Sequence, residues 1–447
     1  EKYLLNRLSK PFERLAPILL VLLFLSPFAV AQAGSQSDFG PLAVPAQSQK
    51  QDSLSREDRE EIFEDVWETV NEKYYDPRFN GVDWRGVRDR YRLRIYDAKS
   101  DDEFYLLIKQ MVGELNDAHT RFHTPRERRE REQLQATSTG ISIFEVEQRP
   151  VVVGVDPTSE AARAGVEAGM IVLAIDGVPV ESKVADARRQ VAGTSSERAV
   201  LLRVYRRILD GESGTTVNLT LQRKNSTRFD VKVTRHVVSD GPTVKWRLLD
   251  SGYGYIRLNI WKSPIHKEFK KALEQLKNTP GLVIDLRGNP GGEAGEVVKI
   301  ASYFFSRKVS FGRFLARSGK SIELFTDDDD QVYRSPVVIL INEASGSGSE
   351  LFAACMQENN RAIVVGRQSC GCVLGIAKFR KVEGGGELAV SELGYLSARG
   401  RRLEGSGVIP DETIALRIVD LQSNRDRTIE EAEGVLRNSV RVTRGAN

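Results

Sequence analysis

Residues 282–292 read LVIDLRGNPGG and residues 336–350 read PVVILINEASGSGSE. Each stretch begins with a continuous apolar run, which predicts a buried strand, and each ends in a glycine-rich turn. Helices are predicted directly after these turns, over residues 295–305 and 351–358. The repeated order of strand, glycine-rich turn and helix predicts an α/β core with crossover connections over residues 238–420.

The region before this core, residues 138–237, alternates β-rich runs with short helical segments and tight glycine turns. It resembles a PDZ domain, a module that binds a peptide as an added strand and captures its terminal carboxylate with backbone amides. The resemblance implies a substrate-binding carboxylate loop at Gly140, Ile141, Ser142 and Ile143. Met170, where an acidic residue is common, and extra residues around 208–215 depart from the PDZ pattern. The alternative is a PDZ-like fold that only packs against its neighbour.

Residues 55–137 are predicted to form a small helical N-terminal domain. Apolar residues recur there at helical spacing, for example at Ile62, Val66 and Val70. At the other end of the chain, residues 421–447 are predicted to form a C-terminal tail. The fold class predicted for the whole chain is therefore multidomain α+β, with a helical segment, a PDZ-like β domain and an α/β core.

The N-terminus predicts export. Four basic residues precede an apolar segment at residues 15–30, and the small-x-small site Ala31-Gln32-Ala33 follows it. This order is typical of a secretory signal peptide over residues 1–33, cleaved after Ala33, with residues 34–54 as a linker. The alternative is an uncleaved anchor, which would keep the protein near a membrane. The mature protein is expected in the periplasm, a thylakoid-type lumen or the extracellular space.

Composition narrows the functional classes. The chain has 447 residues, a formal charge of +3, 40% hydrophobic residues and 28% charged residues. Those shares are typical of a globular protein and exclude wholesale disorder. The near-neutral charge gives no electrostatic case for a nucleic-acid partner. Three cysteines cannot form a disulfide scaffold or a cysteine-rich zinc site.

The serine-rich turn at residues 345–349 is a candidate catalytic element. Its serines alternate with glycines at the start of a predicted helix, where backbone amides can stabilise an oxyanion. A glycine beside a nucleophile also lets a scissile carbonyl approach closely. The alternative is that the serines only cap the helix.

The order of signal peptide, helical segment, PDZ-like region and core with IDLRGNPGG, INEASGSGSE and GSGVIPD resembles the carboxyl-terminal processing peptidases, or tail-specific proteases. The resemblance covers essentially the whole mature chain. It implies a serine endopeptidase that cuts proteins near exposed C-termini, with the PDZ domain presenting or gating the substrate. It also implies that Ser347 is the nucleophile and that Gly348, with Gly291 or Gly292, supplies the oxyanion-binding amides. It implies no metal and no cofactor.

One departure from this family concerns the general base. Usual members activate the serine with a lysine, and Cys372 stands at that position here. A thiol is a poor base, so the ordinary serine–lysine mechanism cannot be assigned. Cys370 and Cys372 could pair in an oxidising compartment, although a one-residue spacer is short for a disulfide. Lys378, just beyond the motif, is a fallback base.

The chain is also similar to tricorn-type proteases, which use a histidine and a glutamate. That similarity implies a triad of Ser347, His119 and Glu404, with the imidazole as base and the carboxylate orienting it. His123 is a weaker candidate for the same role, and Asp117 is expected to cap the loop locally. The rival hypothesis from another class is an inactive PDZ-bearing scaffold or adaptor that has lost its base. The oligomeric state is not predicted.

Overall fold

The computed structural model of the protein describes residues 53–191, 193–239, 241–327 and 332–445. The predicted signal peptide and nearly all of the predicted linker lie outside these residues. Within them, no helix combines the length and the apolar character needed to cross a membrane.

The N-terminal domain is helical, as predicted. Its elements are α1 (Arg56–Lys73), α2 (Trp84–Tyr96), α3 (Asp101–Gly113), β1 (Arg121–His123) and α4 (Pro125–Glu132), with a 3₁₀ turn at Phe79–Gly81. Ser55 caps α1, accepting a hydrogen bond from the Asp58 amide, and Ser100 caps α3 in the same way. The apolar faces of α1 to α3 meet in one buried cluster around Phe63, Met111 and Phe104.

The PDZ-like domain is a small β-sheet flanked by helices. Its elements are β2 (Gln135–Ser138), β3 (Ile141–Val146), β4 (Arg149–Val155), α5 (Glu160–Arg163), β5 (Ile171–Ile175), β6 (Val178–Pro179), α6 (Val180–Gln190), α7 (Glu197–Arg207), β7 (Thr216–Gln222), β8 (Arg228–Thr234) and β9 (His236–Ser239). The sheet order is β3-β4-β5-β7-β8, with β6 paired to β5. Entry strand β2 and exit strand β9 form an antiparallel ribbon, so both connections of the domain run side by side.

Helix α7 packs against both α6 and β3. The Tyr205 ring lies 5.6 Å from the Phe144 ring, and its hydroxyl donates to Oε2 of Glu145 at 3.4 Å. Strand β3 is an edge strand of its sheet. A peptide added as a strand to β3 would therefore lie next to α7.

The core contains a six-stranded sheet in the order β10-β11-β12-β15-β16-β19. Five of its strands are parallel and only the edge strand β10 is antiparallel. The elements up to the serine-rich turn at residues 345–349 are β10 (Val244–Leu248), β11 (Gly254–Leu258), α8 (Ile265–Gln275), β12 (Leu282–Asp285), α9 (Ala294–Ser302), β13 (Ser310–Ala316), β14 (Ser321–Phe325) and β15 (Val337–Ile341). The elements after it are α10 (Gly348–Glu358), β16 (Ala362–Gly366), β17 (Gly375–Lys381), β18 (Glu387–Ser397), β19 (Glu412–Thr413), α11 (Ile418–Leu421) and α12 (Arg427–Gly445), with a 3₁₀ turn at Glu383–Gly385.

A second sheet was not anticipated from the sequence. Strands β13, β14, β17 and β18 form an antiparallel sheet that β1 of the N-terminal domain extends. Leu388 and Val390 of β18 pack into the apolar cluster of the N-terminal domain. The helical domain is therefore fused to the core and does not stand apart from it.

The C-terminal segment also differs from the prediction of a tail. Alternate residues of the parallel strands point to opposite faces of the sheet, and both faces are covered. Helices α8, α9 and α10 cover one face, whereas Ala432 and Leu436 of α12 pack against Val283 and Leu340 on the other. Helix α12 is thus a structural layer of the core.

Candidate active site

Ser347 lies in a sharp turn between the end of β15 and the start of α10. Its backbone has φ 48° and ψ −114°, a sparsely populated conformation for a residue with a side chain. Turns of this kind project a nucleophile above the carboxyl edge of a parallel sheet. Ser347 is partly exposed, whereas Ser345 and Ser349 beside it are fully buried.

The buried serines brace this turn against the one that follows β12. The Ser345 hydroxyl donates to the carbonyl of Leu286 at 2.8 Å. The Ser349 hydroxyl donates to the carbonyl of Asn289 at 3.0 Å, and that carbonyl also accepts the Gly346 amide at 3.1 Å. Ser345 and Ser349 thus use their hydroxyls to hold the turn in place, whereas Ser347 between them is partly exposed.

Gly291 permits the close approach of the two turns. A Cβ atom at this position would lie 2.6 Å from Cβ of Ser347 and 2.8 Å from the amide nitrogen of Gly348. Its φ of 106° is also one that other residues rarely adopt. The Gly291 amide itself donates to Oδ1 of Asn289 at 2.9 Å, so it is already used.

Two other amides border the nucleophile. A Cβ atom at Gly348 would lie 3.4 Å from the amide nitrogen of Gly292, so the two glycines lie close together. Neither amide donates to another group among the residues that the structure describes. Gly348 is also the first residue of α10, where the helix dipole favours negative charge. Gly292 and Gly348 therefore form an arrangement that can bind an oxyanion.

Glu350 fixes the loop of residues 369–372, which lies beside Ser347. Its carboxylate is fully buried and accepts four hydrogen bonds, from the amides of Ser347, Gly371 and Cys372 at 2.7–3.0 Å and from the Ser369 hydroxyl at 2.6 Å. Burial raises the pKa of Glu350, while the four donors oppose that rise. This carboxylate therefore ties the loop at residues 369–372 to the first turn of α10.

Cys372 lies directly against the nucleophile's backbone. Its carbonyl accepts the Ser347 amide at 2.8 Å, and its sulfur is bonded to Cys370 in a disulfide. The disulfide packs with Ala118 and Ala199 in a small apolar cluster. Cys372 therefore has no free thiol that could act as a base.

The loop that carries His119 is held by Asp117. This buried carboxylate accepts the amides of His119 and Thr120 at 2.7 and 2.6 Å, and the hydroxyls of Thr120 and Ser391 at 2.7 and 2.8 Å. Asp117 therefore works as a local cap for this loop. Because Ala118 packs on the disulfide next to Ser347, the loop lies over the nucleophile's side of the core.

The imidazole of His119 is neutral in this arrangement. Burial, together with the positive charges of Arg121 and Arg203, lowers its pKa to about 3 against the opposing charge of Asp117. Its Nδ1 is buried without a hydrogen-bond partner, and the ring makes no hydrogen bond to Ser347 or Glu404 in the described part of the chain. The structure thus brings the His119 loop to the site without joining the ring to the other two residues.

Glu404 is held by partners other than the imidazole. Its Oε1 accepts the hydroxyl of Ser195, and its Oε2 accepts the Val373 amide at 2.7 Å. Burial raises the pKa of Glu404 to about 7, and the charges of Asp117 and Glu350 raise it as well. Glu404 therefore changes charge near neutral pH.

The remaining candidates lie in other surroundings. Lys378 is exposed on β17. His123 lies on β1 with its ring 6.1 Å from that of Phe379, and burial lowers its pKa to about 4. In the proposed carboxylate loop, the amides of Gly140 and Ile141 each donate to the side-chain hydroxyl two residues earlier, at 3.0 and 3.3 Å.

Two residues of the site were missed by the sequence analysis. Glu350 follows the serine turn directly and could have been identified as the acidic residue of a helix first turn. Ser195 lies in the PDZ-like domain, 209 positions from Glu404. No local pattern links them, because only the folded arrangement of the two domains brings them together.

Comparisons with known families agree with this architecture. The profile of peptidase family S41 matches residues 252–414. A profile of the tricorn protease C1 domain matches residues 55–113, and a PDZ-domain profile matches residues 151–206. The matched segments correspond to the core, the first three helices and the PDZ-like domain.

Curated relatives match most of the chain. The carboxyl-terminal-processing protease of Picosynechococcus sp. is 28% identical over 368 residues, which cover 80% of this chain and 83% of that protein. The chloroplastic carboxyl-terminal-processing peptidase 2 of Arabidopsis thaliana is 29% identical over 375 residues, which cover 79% of this chain and 68% of that protein.

Solved structures share the fold. The photosystem II D1 C-terminal processing protease superimposes with a TM-score of 0.56 at 24% identity, covering 80% of this chain and 93% of that one. Mature CPAF superimposes with a TM-score of 0.65 at 14% identity, covering 85% of this chain and 96% of that one.

Proposed function

Since the chain belongs to the carboxyl-terminal processing peptidase family and is a serine peptidase with a PDZ domain, we propose that it cleaves proteins near exposed C-termini with Ser347 as its nucleophile. The observation that carries this proposal is the strained turn of Ser347 beside the unused amides of Gly292 and Gly348. Such a turn combines an accessible hydroxyl with a preformed oxyanion site.

The proposed reaction passes through an acyl-enzyme. The Ser347 oxygen attacks the peptide carbonyl while its proton moves to His119, and the carbonyl oxygen becomes an oxyanion bound by Gly292 and Gly348. The C–N bond then breaks, and the amine leaves with the proton from His119. Water, deprotonated by the same imidazole, attacks the ester and releases the acid and free Ser347.

His119 is the proposed base because the usual lysine is absent and the imidazole is neutral. The buried ring, with a pKa of about 3, is a weak base in the resting arrangement. Next to an ionised Glu404 its pKa would rise, and the carboxylate would orient the ring and stabilise the imidazolium formed when it accepts the serine proton. In the resting arrangement Glu404 is engaged elsewhere. We therefore expect substrate binding to draw the His119 ring toward Ser347, since catalytic hydrogen bonds often form only in the substrate complex.

The PDZ domain is proposed to gate the site. Helix α7 packs against β3, so a substrate tail that adds to β3 would contact α7. This helix begins two residues after Ser195, which donates to Glu404, so a change in its position would alter the contacts of that carboxylate. Binding of a substrate tail to the PDZ domain would then directly change the arrangement of the active site.

We also propose that the protein is exported, because its N-terminal segment resembles a signal peptide. The curated relatives include proteins named as chloroplastic, which is compatible with a protein that is moved out of the compartment of its synthesis. The proposed compartments remain the periplasm, a lumen or the extracellular space. An oxidising compartment would also suit the Cys370–Cys372 disulfide.

The test is cleavage of an unstructured protein substrate by matched variants. We expect Ser347→Ala to abolish cleavage, and His119→Ala and Glu404→Ala each to lower kcat by about a hundredfold or more. Lys378→Ala, a charge removed from an exposed strand, serves as the control and should remain fully active. Full activity of His119→Ala would overturn its role as base. Absence of any Ser347-dependent cleavage would overturn the peptidase proposal in favour of a PDZ-bearing scaffold.

A further inference from the structure

One hydroxyl of the PDZ domain connects two parts of the catalytic site. Ser195 lies between α6 and α7, and its Oγ accepts the amide of Ala118 at 2.8 Å while it donates to Oε1 of Glu404. Ala118 directly precedes His119. A single side chain therefore holds both the loop of the proposed base and the carboxylate proposed to orient it.

The other end of Glu404 leads to the nucleophile. Its Oε2 accepts the Val373 amide at 2.7 Å, and Val373 follows Cys372, whose carbonyl accepts the Ser347 amide at 2.8 Å. The carboxylate is thus clamped between the PDZ domain and the nucleophile's loop. If the Ser195 contact were lost, only the Val373 amide would still hold Glu404 by a hydrogen bond within the described residues.

The contact belongs to a fixed docking surface, which we define as Ser195, Ser196, Arg198 and Arg203, in or just before α7. The Ser196 hydroxyl donates to the Cys370 carbonyl at 2.5 Å, and Nε of Arg198 donates to the Ser369 carbonyl at 2.7 Å. Nη2 of Arg203 donates to the Ala118 carbonyl at 3.0 Å. These bonds reach backbone carbonyls, so the docking fixes the position of the Ser195 hydroxyl.

We propose that Ser195 is a positioning residue of the peptidase site, supplied by the PDZ domain, which holds Glu404 and the His119 loop next to the loop of Ser347. The proposal rests on the proposed function, because it concerns how that site is organised. On this proposal, Glu404 is held by Ser195 only while the docking surface keeps the PDZ domain against the core.

The Ser195 hydroxyl also favours the ionised form of Glu404. Donation to a carboxylate lowers its pKa, so removal of this donor raises the pKa further above its present value. The charged and titratable groups that face Glu404 or its close neighbours come from several elements: Tyr74, Tyr75, Asp117, Glu350 and Arg402. None of these is changed by a substitution at Ser195, so the shift can be assigned to the lost hydroxyl.

The test compares Ser195→Ala with Ser195→Thr and with Ser182→Ala, an exposed serine of α6 in the same domain. We expect Ser195→Ala to lower kcat about tenfold or more with little change in KM, because it removes a hydrogen bond to a charged group. The acid limb of its pH profile should move to higher pH. Ser195→Thr should recover much of the activity, and Ser182→Ala should match the unmodified protein.

A double substitution separates positioning from loss of structure. If Ser195 acts through Glu404, Ser195→Ala combined with Glu404→Gln should lose no more activity than Glu404→Gln alone. Fully additive losses, or a Ser195→Ala variant with unchanged kcat and pH profile, would overturn the inference. That failure is distinct from failure of the proposed function, in which the unmodified protein itself shows no Ser347-dependent cleavage.

Discussion

The backbone amide of Ser347 donates to the carbonyl oxygen of Cys372 at 2.8 Å, and this bond joins the proposed nucleophile to the loop of residues 369–372. The Cys370–Cys372 disulfide closes this loop, and Glu350 accepts hydrogen bonds from the amides of Gly371 and Cys372. Cys372 therefore supports the Ser347 turn through its backbone and through the disulfide.

The disulfide should stabilise the loop but take no part in catalysis. We expect Cys370→Ser combined with Cys372→Ser to retain Ser347-dependent cleavage, because neither sulfur acts as the base. The free energy of unfolding should fall by no more than about 2 kcal/mol, since the closed loop is very short. Urea unfolding and cleavage rates measure both effects. Complete inactivity of a folded double variant would contradict this account.

Glu350 should be critical for stability. In Glu350→Gln one acceptor oxygen becomes an amide that faces donors, which leaves buried polar groups without partners. We expect a loss of about 2–4 kcal/mol in the free energy of unfolding. Glu323→Gln, at an exposed position on β14, is the matched control and should lie within about 0.5 kcal/mol of the unmodified protein. An equal, small effect of both substitutions would show that the Glu350 bonds are dispensable.

Activity should rise with pH through neutrality. Burial raises the pKa of Glu404 to about 7, and only its ionised form can stabilise the imidazolium. His119 adds no limb in this range because burial lowers its pKa to about 3. We expect kcat/KM to increase between pH 6 and 8 and the same limb to vanish in Glu404→Gln. A profile that is flat over this range for the unmodified protein would argue against the role of Glu404.

The buried imidazole should make the fold sensitive to acid. The pKa of His119 is lowered from 6.5 to about 3 on folding, so the unfolded chain binds the proton first as the pH falls. The stabilising contribution is therefore complete above about pH 6.5 and is lost progressively toward pH 3. His119→Asn lacks this titration, so its urea midpoint should fall less between pH 7 and pH 4.5. Identical losses in both proteins would contradict the buried, neutral state of His119.

The fold was largely predictable from local patterns. The apolar runs before LRGNPGG and NEASGSGSE are strands β12 and β15, and the helices after both turns begin within three residues of the predicted positions. The helical domain, the PDZ domain and the α/β core were confirmed. The antiparallel sheet and the packing of α12 were not anticipated, because they depend on contacts between distant segments.

The candidate site was predictable only in part. Ser347 and its glycines lie in contiguous motifs, so their residue types alone pointed to them. The pairing of Glu404 with Ser195 depends on how the PDZ domain is seated, which no spacing in the sequence encodes. The roles assigned to His119 and Glu404 stay predictions, since the resting ring does not contact Ser347.

Whether His119 activates Ser347 is tested most directly by the rate at which a fluorophosphonate probe modifies this serine, read by intact-protein mass spectrometry. A single adduct should form on the unmodified protein and be absent from Ser347→Ala. In His119→Ala the labelling rate should fall by about a hundredfold, because the serine hydroxyl loses its base. Labelling of His119→Ala at the unmodified rate would contradict the assignment of His119 as the group that activates Ser347.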